Sequence, residues 1–298
     1  METLFFDAAK KLTLKNPAYK KAVEFYVWGA YQEDADKGDV TTKNFISNPK
    51  QPVRAIVVAK ESGVLAGMQE AEWFLKKLGI RIVQKSRDSS SVRKNQTIVT
   101  LNGRADRILA AERTLLNLLQ RMSGIATATK KLSSKLPPTI KLLATRKTFW
   151  GLLDKRAVAL GGGCTHRLNL SDAILIKDNH LTLQSDVGAG LKCALSQASK
   201  VRFIEIELDN MGSIRKLISL KPKWPKNFVV MLDNFKPADV KKAAPLLYRA
   251  GFTVEVSGGI NEKNIRSYCL PGVSAISVGA ITNKAPALNI SLEILNTV

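Results

Sequence analysis

The sequence predicts an α/β protein in two parts, a small α+β layer followed by a barrel of parallel strands. From residue 140 onwards, short apolar segments typical of strands alternate with helical segments. Repeated units of this kind form parallel sheets with right-handed crossovers. The first strand is not followed by a dinucleotide-binding fingerprint, which favours a barrel over a doubly wound sheet.

In the first part, several short strands and one long helix are predicted. The strand-like segments are 53–58, 63–66, 80–84 and 97–102, with a short helix at 69–78. A longer helix is predicted over 105–122, because Ile108, Leu115 and Met122 recur at every seventh position and give it an apolar face. Arg113 lies on the apolar side of that helix, where a guanidinium needs an acidic partner or a polar pocket.

In the second part, the segment 133–139 (SSKLPPT) breaks the helical pattern and predicts a linker. Beyond it the predicted strands are 140–144, 173–176, 203–208, 228–232, 252–256 and 275–278. The predicted helices are 152–160, 214–220, 238–248 and 262–269. Because the functional face of such a barrel lies at the carboxyl ends of the strands, residues at those ends are the candidates for a site.

Three kinds of residue follow the predicted strands and are expected to meet at one end of the barrel. Cations follow the first two strands, carboxylates lie on the next two, and glycine turns follow the last two. The residues are Arg146, Lys147, Lys177, Glu205, Glu207, Asp209, Asp233, Ser257, Gly258, Gly259 and Gly279. Both histidines of the chain, His166 and His180, lie among the cations, and Arg167 follows His166. This arrangement predicts a pocket for an anion.

More than one role is open to each group. Glu207 and Asp233 could share a hard cation such as magnesium, or they could act in acid–base chemistry. The turn 257–259, before a helix expected near Asn261, could bind phosphate through free backbone amides or could be an ordinary turn. The histidines could bind a metal, but their Arg and Lys neighbours repel cations and favour donation to an anion.

Composition narrows the class of protein. The chain has 298 residues, 45% of them hydrophobic, and no apolar run approaches the ~20 residues of a membrane span. Three widely spaced cysteines without a CxxC motif predict reduced thiols and a cytoplasmic location. The net charge of +21 favours anionic partners, yet the lysine pairs are scattered and typical of solvated surface. Neither a membrane nor a nucleic-acid partner is therefore predicted.

Motifs along almost the whole chain resemble those of quinolinate phosphoribosyltransferase, also called carboxylating nicotinate-nucleotide pyrophosphorylase. They are EDADKGDVTT, GVLAG, AERTLLNLLQRMSGIAT, TRKT, GGGCTHRLNLSDAILIKDNH, LDNF, VEVSGGI and SVGAITNKAPALNISL. The resemblance implies an N-terminal α/β sandwich and a C-terminal open α/β barrel. We assign residues 1–120 to the sandwich, with the tail 284–298 packing back on it, and residues 121–283 to the barrel.

The resemblance also implies an activity. Quinolinate and phosphoribosyl pyrophosphate (PRPP), with magnesium, would give nicotinate mononucleotide, pyrophosphate and carbon dioxide in de novo NAD biosynthesis. The alternative is a paralogous phosphoribosyltransferase of the same fold that acts on another aromatic acid. A homodimer is implied, and a higher oligomer is left open.

The resemblance assigns site residues as well. The quinolinate pocket matches at Arg146, His166, Arg167 and Lys177, and Arg113 is expected to reach the pocket of the other subunit. The PRPP side matches at Lys147, Glu207, Asp233, Ser257, Gly258 and Gly279. Of these, Lys147, Glu207 and Asp233 are expected to be catalytic, with Glu207 and Asp233 as magnesium ligands. His180 is then expected to support the loop after Lys177.

Three positions depart from the family pattern. Asn283 stands where the family often has a histidine near the phosphate, so contacts to phosphate are expected to differ there. Phe149 and Trp150 precede Gly151 where a proline is usual, and Asn289 replaces a usual aspartate. None of these positions is a predicted cationic or magnesium-binding residue.

Overall fold

The computed structural model describes residues 4–220 and 224–297 and divides them into two compact units. The first, here called the sandwich unit, comprises Lys10–Lys130, Phe149–Gly162 and the chain from Lys284 onwards. The second, here called the barrel unit, comprises the chain up to Ala9, Lys131–Thr148 and Gly163–Asn283.

The elements follow one another in a mixed order of strands and helices. The strands are β1 (Pro52–Ala59), β2 (Gly63–Val64), β3 (Arg81–Lys85), β4 (Ser91–Val92), β5 (Thr97–Arg104), β6 (Lys141–Leu143), β7 (Ile174–Ile176), β8 (Ile204–Leu208), β9 (Phe228–Asp233), β10 (Thr253–Ser257), β11 (Ala275–Ser277) and β12 (Ile290–Thr297). The α-helices are α1 (Pro17–Val23), α2 (Gly29–Ala35), α3 (Val40–Phe45), α4 (Met68–Lys77), α5 (Ala105–Ser133), α6 (Leu152–Leu160), α7 (Asp178–Leu183), α8 (Val187–Ser196), α9 (Met211–Ser219), α10 (Pro237–Arg249) and α11 (Ala280–Asn283). Among the described residues, no helix has the length and apolar character needed to cross a membrane.

The sandwich unit is built on a four-stranded antiparallel sheet in the order β12-β1-β5-β3. On β1, the alternate residues Val53, Ala55 and Val57 are buried, as expected when one face of a strand packs on a core. The long helix α5 buries the predicted apolar positions, including Ile108 and Leu115.

The C-terminal tail belongs to the sandwich unit, where β12 pairs with β1. Gln120 on α5 donates from its side-chain amide to the carbonyl of Ile290 at 2.8 Å, and its own carbonyl accepts from Leu288 N at 2.9 Å. The helix and the tail approach so closely that a Cβ atom on Gly124 would lie 2.0 Å from the carbonyl oxygen of Pro286. Glycine at position 124 is therefore required by the packing of the tail.

The barrel unit contains a six-stranded parallel sheet in the order β6-β11-β10-β9-β8-β7. Within the described residues, β6 and β7 are the two edges, so the barrel is open between them. Part of that edge is occupied by Cys164, which donates to Leu142 O at 2.8 Å and accepts from Ala144 N at 2.9 Å. The predicted combination of an α/β sandwich with an open α/β barrel is confirmed.

The N-terminal segment contributes to the core of the barrel unit, which the sequence did not predict. Phe6 is fully buried there with residues on or beside several strands: Leu143, Ala173, Phe203, Val229 and Ala275. The first residues of the chain therefore pack with residues that lie far away in the sequence.

Two expectations about the elements were inaccurate. The helix predicted at 262–269 is only a short 3₁₀ turn, Ile265–Tyr268. Asn261 and Asn264 explain this, because their side-chain oxygens accept from Lys263 N and Asn261 N and stabilise a turn in place of a helix. The helix predicted to end at 122 continues to Ser133, so it runs through the boundary assigned at 120/121, and residues 149–162 group with the sandwich unit.

We expect Gly124→Ala to lower the free energy of unfolding by about 1–3 kcal/mol, because the added methyl group collides with the backbone at Pro286. Chemical denaturation with a helix-content readout measures this. Gly29→Ala is the matched control, since Gly29 begins α2 with a helical backbone and the new Cβ would lie 4.0 Å from its nearest neighbour, the carbonyl oxygen of Glu24. That change should leave stability equal or raise it by less than about 1 kcal/mol. Equal stability of the two variants would contradict the close packing of the tail on α5.

Candidate active site

An open cavity of about 400 Å³ lies at the carboxyl ends of the barrel strands. It is lined mainly by polar and charged residues, which come from the strands of the sheet, from the loops that follow them, and from the loop between α6 and β7. The lining residues are Ala144, Thr145, Arg146, Lys147, His166, Arg167, Leu175, Lys177, Glu207, Met231, Asp233, Asn234, Glu255, Ser257, Gly258, Gly259 and Ser277. Most of the predicted site residues are therefore brought together in one place.

Two guanidinium groups lie close together on one side of this cavity. Arg167 is only 6% exposed, and burial together with the neighbouring Arg146 guanidinium lowers its pKa. Like charges that are partly removed from water repel each other strongly. This side of the cavity is therefore suited to an anion that can bind both groups.

His166 makes a buried ionic contact with two carboxylates. Its Nε2 atom is 3.0 Å from Glu205 Oε2 and 3.2 Å from Glu255 Oε2, and both carboxylates are fully buried. Burial lowers the pKa of His166, but Glu255 and Glu205 outweigh it and raise that pKa to about 9. Burial and the Glu255 charge raise the pKa of Glu205 to about 8, whereas the His166 charge, outweighing burial, lowers the pKa of Glu255.

The same three residues are also close enough together to suggest a metal site. Their ligand atoms lie within 4.8 Å of one another. However, a histidine that stays protonated at neutral pH has no free ring nitrogen to offer a metal. We therefore interpret His166, Glu205 and Glu255 as a closed ionic contact that holds the histidine as a charged donor facing the cavity.

Glu207 and Asp233 form the acidic side of the cavity. Lys177 Nζ lies 2.7 Å from Glu207 Oε2, and Asn234 donates to Asp233 Oδ2 at 2.6 Å. Burial raises the pKa of Asp233, and the charge of Glu207 raises it further, so the two carboxylates are close enough to repel each other. Two neighbouring carboxylates of this kind fit magnesium, which commonly takes one or two protein carboxylates beside substrate phosphates.

The turn 257–259 has a backbone that only glycine can adopt easily. Gly258 has a φ of 91°, and a Cβ atom there would lie 2.2 Å from Asn234 Oδ1 and 2.7 Å from Asn234 N. Asn234 N donates to Ser257 O at 2.9 Å, which fastens this turn to the end of β9. The helix expected near Asn261 is replaced by turns in this described part of the chain, so the turn 257–259 does not lead into a helix N-terminus that could bind phosphate.

Lys147 is positioned by Thr145 and by Thr282 on α11, which follows β11. Its carbonyl accepts from Thr282 Oγ1 at 2.7 Å, and its backbone N–H donates to Thr145 Oγ1 at 3.1 Å. Gly279 lies outside the cavity lining, but a Cβ atom there would be 3.2 Å from Lys147 Cδ. Gly279 therefore leaves room for the lysine side chain.

Some predicted residues lie elsewhere. His180 is exposed, and its Nδ1 atom accepts from Lys177 N at 3.0 Å, so it supports the start of α7. Asp209 is exposed, and Arg113 is exposed on α5 in the sandwich unit. Glu255 was not among the predicted site residues, although a charge within the apolar segment 252–256 was a signal that could have revealed it.

Comparisons with known proteins point to the same family along most of the chain. Residues 39–123 match the family model for the quinolinate phosphoribosyl transferase N-terminal domain, and residues 125–293 match the model for the C-terminal domain. A probable carboxylating nicotinate-nucleotide pyrophosphorylase of Archaeoglobus fulgidus is 35% identical over 87% of this chain and 98% of its own length. A Bacillus subtilis protein of the same name is 34% identical over 89% of this chain and 90% of its own length. The solved nicotinate-nucleotide pyrophosphorylase of Francisella tularensis superposes with a TM-score of 0.82 at 34% identity, covering 92% of this chain and 96% of its own.

We expect the stability of the protein to fall as the pH rises from about 6.5 to about 9. The folded protein binds the His166 proton more tightly than the unfolded chain, whose histidines titrate near ~6.5. The raised pKa of Glu205 acts in the same direction up to about 8. The stabilisation is therefore fully present below the unfolded pKa and is lost as the pH passes the folded one.

Thermal unfolding of His166→Asn measures the histidine contribution. His166 has a φ of 53°, and asparagine tolerates that left-handed backbone but does not titrate. The variant leaves Glu205 and Glu255 buried without their cation, and the His166 charge no longer lowers their pKa. It should therefore show a steeper decline in melting temperature over this pH range than the natural protein. His180→Asn, which removes an exposed histidine, is the control and should keep the decline of the natural protein. A shallower decline in His166→Asn would contradict the buried ionic contact.

Proposed function

Because the chain belongs to the quinolinate phosphoribosyltransferase family, we propose that the barrel cavity transfers the phosphoribosyl group of PRPP to quinolinate. The products are nicotinate mononucleotide, pyrophosphate and carbon dioxide, a step of de novo NAD biosynthesis. The observation that carries this proposal is the pair of neighbouring guanidinium groups, Arg146 and Arg167, in the same cavity as the carboxylates Glu207 and Asp233.

Quinolinate matches the cationic side of the cavity because it carries two adjacent carboxylates. Arg146 and Arg167 repel each other in its absence, and a dicarboxylate bound to both removes that repulsion. Guanidinium groups bind carboxylates in a bidentate manner, which also orients the pyridine ring. The protonated His166 adds a further donor from the floor of the cavity.

Lys177 connects the two halves of the site. It is paired with Glu207 in the structure, and a quinolinate carboxylate is a competing partner for its ammonium group. When Lys177 turns to quinolinate, Glu207 becomes available for the ribose and for a cation. Binding of quinolinate thereby prepares the acidic side for PRPP.

The acidic side matches the chemistry at the ribose. Positive charge develops on the sugar as pyrophosphate leaves its C1 atom, and Glu207 and Asp233 are placed to stabilise that charge. Lys147 faces the same cavity and attracts the departing phosphates, while the glycine turn 257–259 lets the backbone approach the 5-phosphate. We propose magnesium as the cofactor held by Glu207 and Asp233, where it would neutralise charge on the pyrophosphate.

Loss of carbon dioxide follows from the alkylation. Once the ring nitrogen carries the ribose, the ring is positively charged and can accept the electron pair of the neighbouring C–C bond. The carboxylate beside the nitrogen then leaves as carbon dioxide, and the ring carbon takes up a proton. The second carboxylate is retained because its bond does not adjoin the nitrogen.

We further propose that the protein acts as a homodimer in the cytoplasm. Arg113 is exposed on α5, where it is available to the cavity of another subunit. The cysteines Cys164, Cys193 and Cys269 are free thiols, which suits a reducing compartment.

The assay for this function supplies the purified protein with PRPP, magnesium and quinolinate labelled in the carboxylate beside the nitrogen. We expect labelled carbon dioxide and nicotinate mononucleotide in equal amounts, and no mononucleotide when nicotinate replaces quinolinate. Chelation with EDTA should stop the reaction, and added magnesium should restore it. Absence of carbon dioxide from quinolinate under these conditions would refute the proposal.

Matched variants test the cationic side within the same assay. Arg146→Met should lower kcat/KM for quinolinate about 30- to 150-fold, since it removes charged hydrogen bonds worth roughly 2–3 kcal/mol. Lys60→Met, which removes an exposed cation of the sandwich unit, should leave kcat/KM unchanged. Equal effects of the two substitutions would point to the general charge of the protein and away from the cavity.

Sharing of Arg113 between subunits is tested with hybrid dimers. Arg113→Ala and Lys147→Ala should each be inactive, but a hybrid of the two contains one cavity with both side chains intact. An equal mixture after subunit exchange should recover about a quarter of the natural activity, because half of the dimers are hybrids with one intact site. Two differently tagged Arg113→Ala chains serve as the control and should stay inactive. A hybrid without activity would refute the shared site.

A further inference from the structure

Arg202, two residues before β8, forms hydrogen bonds with parts of the barrel unit that are far apart in the sequence. Its Nε atom donates to Asp172 Oδ1 and Oδ2 at 3.0 and 2.9 Å. Its Nη1 atom donates to the carbonyl of Phe5 at 2.6 Å, and its Nη2 atom donates to the carbonyl of His166 at 2.5 Å and also to Asp172. Every nitrogen of the guanidinium therefore has an acceptor.

The segment held in this way contains the His166 turn. His166 has a φ of 53°, a left-handed backbone that a side chain with a Cβ atom adopts only when its surroundings enforce it. Arg202 fixes the carbonyl on one side of Arg167, and Asp172 accepts from Leu168 N at 2.8 Å on the other side. The backbone on both sides of Arg167 is thus attached to one Arg–Asp pair.

Residues 5–8 near the N-terminus also contact the His166 turn. Ala8 N donates to Thr165 Oγ1 at 2.9 Å, and the ring of Phe6 stacks on the His166 ring with 5.8 Å between centroids. Thr165 Oγ1 in turn donates to the His166 carbonyl at 3.1 Å. The turn is therefore supported by Arg202 and by residues 5–8, which do not line the cavity.

Burial makes the Arg–Asp pair strong and specific. The side chains of Arg202 and Asp172 are only 16% and 7% exposed, so water competes little for their hydrogen bonds. A lysine at position 202 would keep the charge but could not reach Asp172, Phe5 O and His166 O from one ammonium group, since it lacks the planar fork. The geometry of the guanidinium is thus needed, beyond its charge.

We propose that Arg202 is a positioning residue for quinolinate, acting through the left-handed His166 turn. It does not line the cavity, and instead it fixes the backbone from which His166 and Arg167 enter the cavity together. Asp233 and the glycine turn, which serve the PRPP side, lie at the ends of β9 and β10 and are not among the hydrogen-bond partners of Arg202. Loss of Arg202 should therefore weaken quinolinate binding selectively. This inference rests on the proposed function.

Steady-state kinetics of Arg202→Gln and Arg202→Lys test this selectivity at a temperature well below their melting points. In Arg202→Gln we expect the KM for quinolinate to rise about tenfold or more, while the KM for PRPP changes less than twofold. Arg202→Lys should show nearly the same rise, because the fork is lost although the charge remains. Asp172→Asn, which keeps one side-chain acceptor, should raise the KM for quinolinate about threefold. This variant replaces the Arg202 variants in the test if they do not fold.

A merely structural arginine provides the control. Arg156 in the sandwich unit is similarly enclosed, with its Nε atom 2.9 Å from Glu70 Oε1 and its Nη1 atom donating to Leu12 O at 2.6 Å. Arg156→Lys should lower the melting temperature and leave both KM values unchanged. If Arg202→Gln behaves like Arg156→Lys, or raises the KM for both substrates equally, the positioning role is refuted.

Hydrogen exchange separates this inference from the proposed function. In the natural protein, the amide of Leu168 should exchange slowly because it donates to Asp172. In Arg202→Gln, the peptide spanning 164–172 should exchange at least tenfold faster than in the natural protein, an increase that the rest of the barrel unit should not show. That measurement needs no substrate. A natural protein inactive on quinolinate would refute the proposed function, whereas unchanged exchange in Arg202→Gln would refute the role of Arg202 in holding the turn.

Discussion

The cavity depends on the buried contact of His166 with Glu205 and Glu255. A charged carboxylate enclosed in a barrel is costly unless a positive partner lies beside it. The protonated imidazole of His166 is that partner for Glu255, whereas burial and the Glu255 charge raise the pKa of Glu205 to about 8, so Glu205 holds its proton at neutral pH. Because Glu205 and Glu255 already contact His166, the guanidinium groups of Arg146 and Arg167 are available to bind an external anion. The arrangement of charge within the barrel thus determines which face of the cavity attracts which substrate.

The open edge of the barrel makes this arrangement possible. A closed barrel would place β7 against β6, whereas here the chain around Cys164 runs along β6 and carries His166 and Arg167 inwards. The cationic side of the cavity comes from this edge, and the carboxylates and glycine turn come from β8 to β10 in the continuous part of the sheet. In the proposed function, the two substrates therefore bind at two different parts of one sheet.

The sequence predicted the barrel well, since the alternation of apolar strands and helices is a local property, and the strand ends revealed Lys147, Lys177, Glu207 and Asp233. The family resemblance, which the comparisons confirm, added the assignment of substrates. Other features depend on contacts between distant residues and have no local pattern. Neither the place of Phe6 in the barrel core nor the hydrogen bond of Arg202 to the His166 carbonyl could be predicted in this way. The 3₁₀ turn at Ile265–Tyr268 was missed because asparagine side chains compete there with the helix.

The way the chain passes between the two units also affects how the protein can be made. Phe6 packs beside Ala275, and β1 pairs with β12, so each unit joins residues that are far apart in the sequence. Multidomain proteins often complete one domain before the next is synthesised, but here neither unit can be completed until the chain up to β12 is available. Until β12 pairs with it, β1 presents an unpaired edge to other chains.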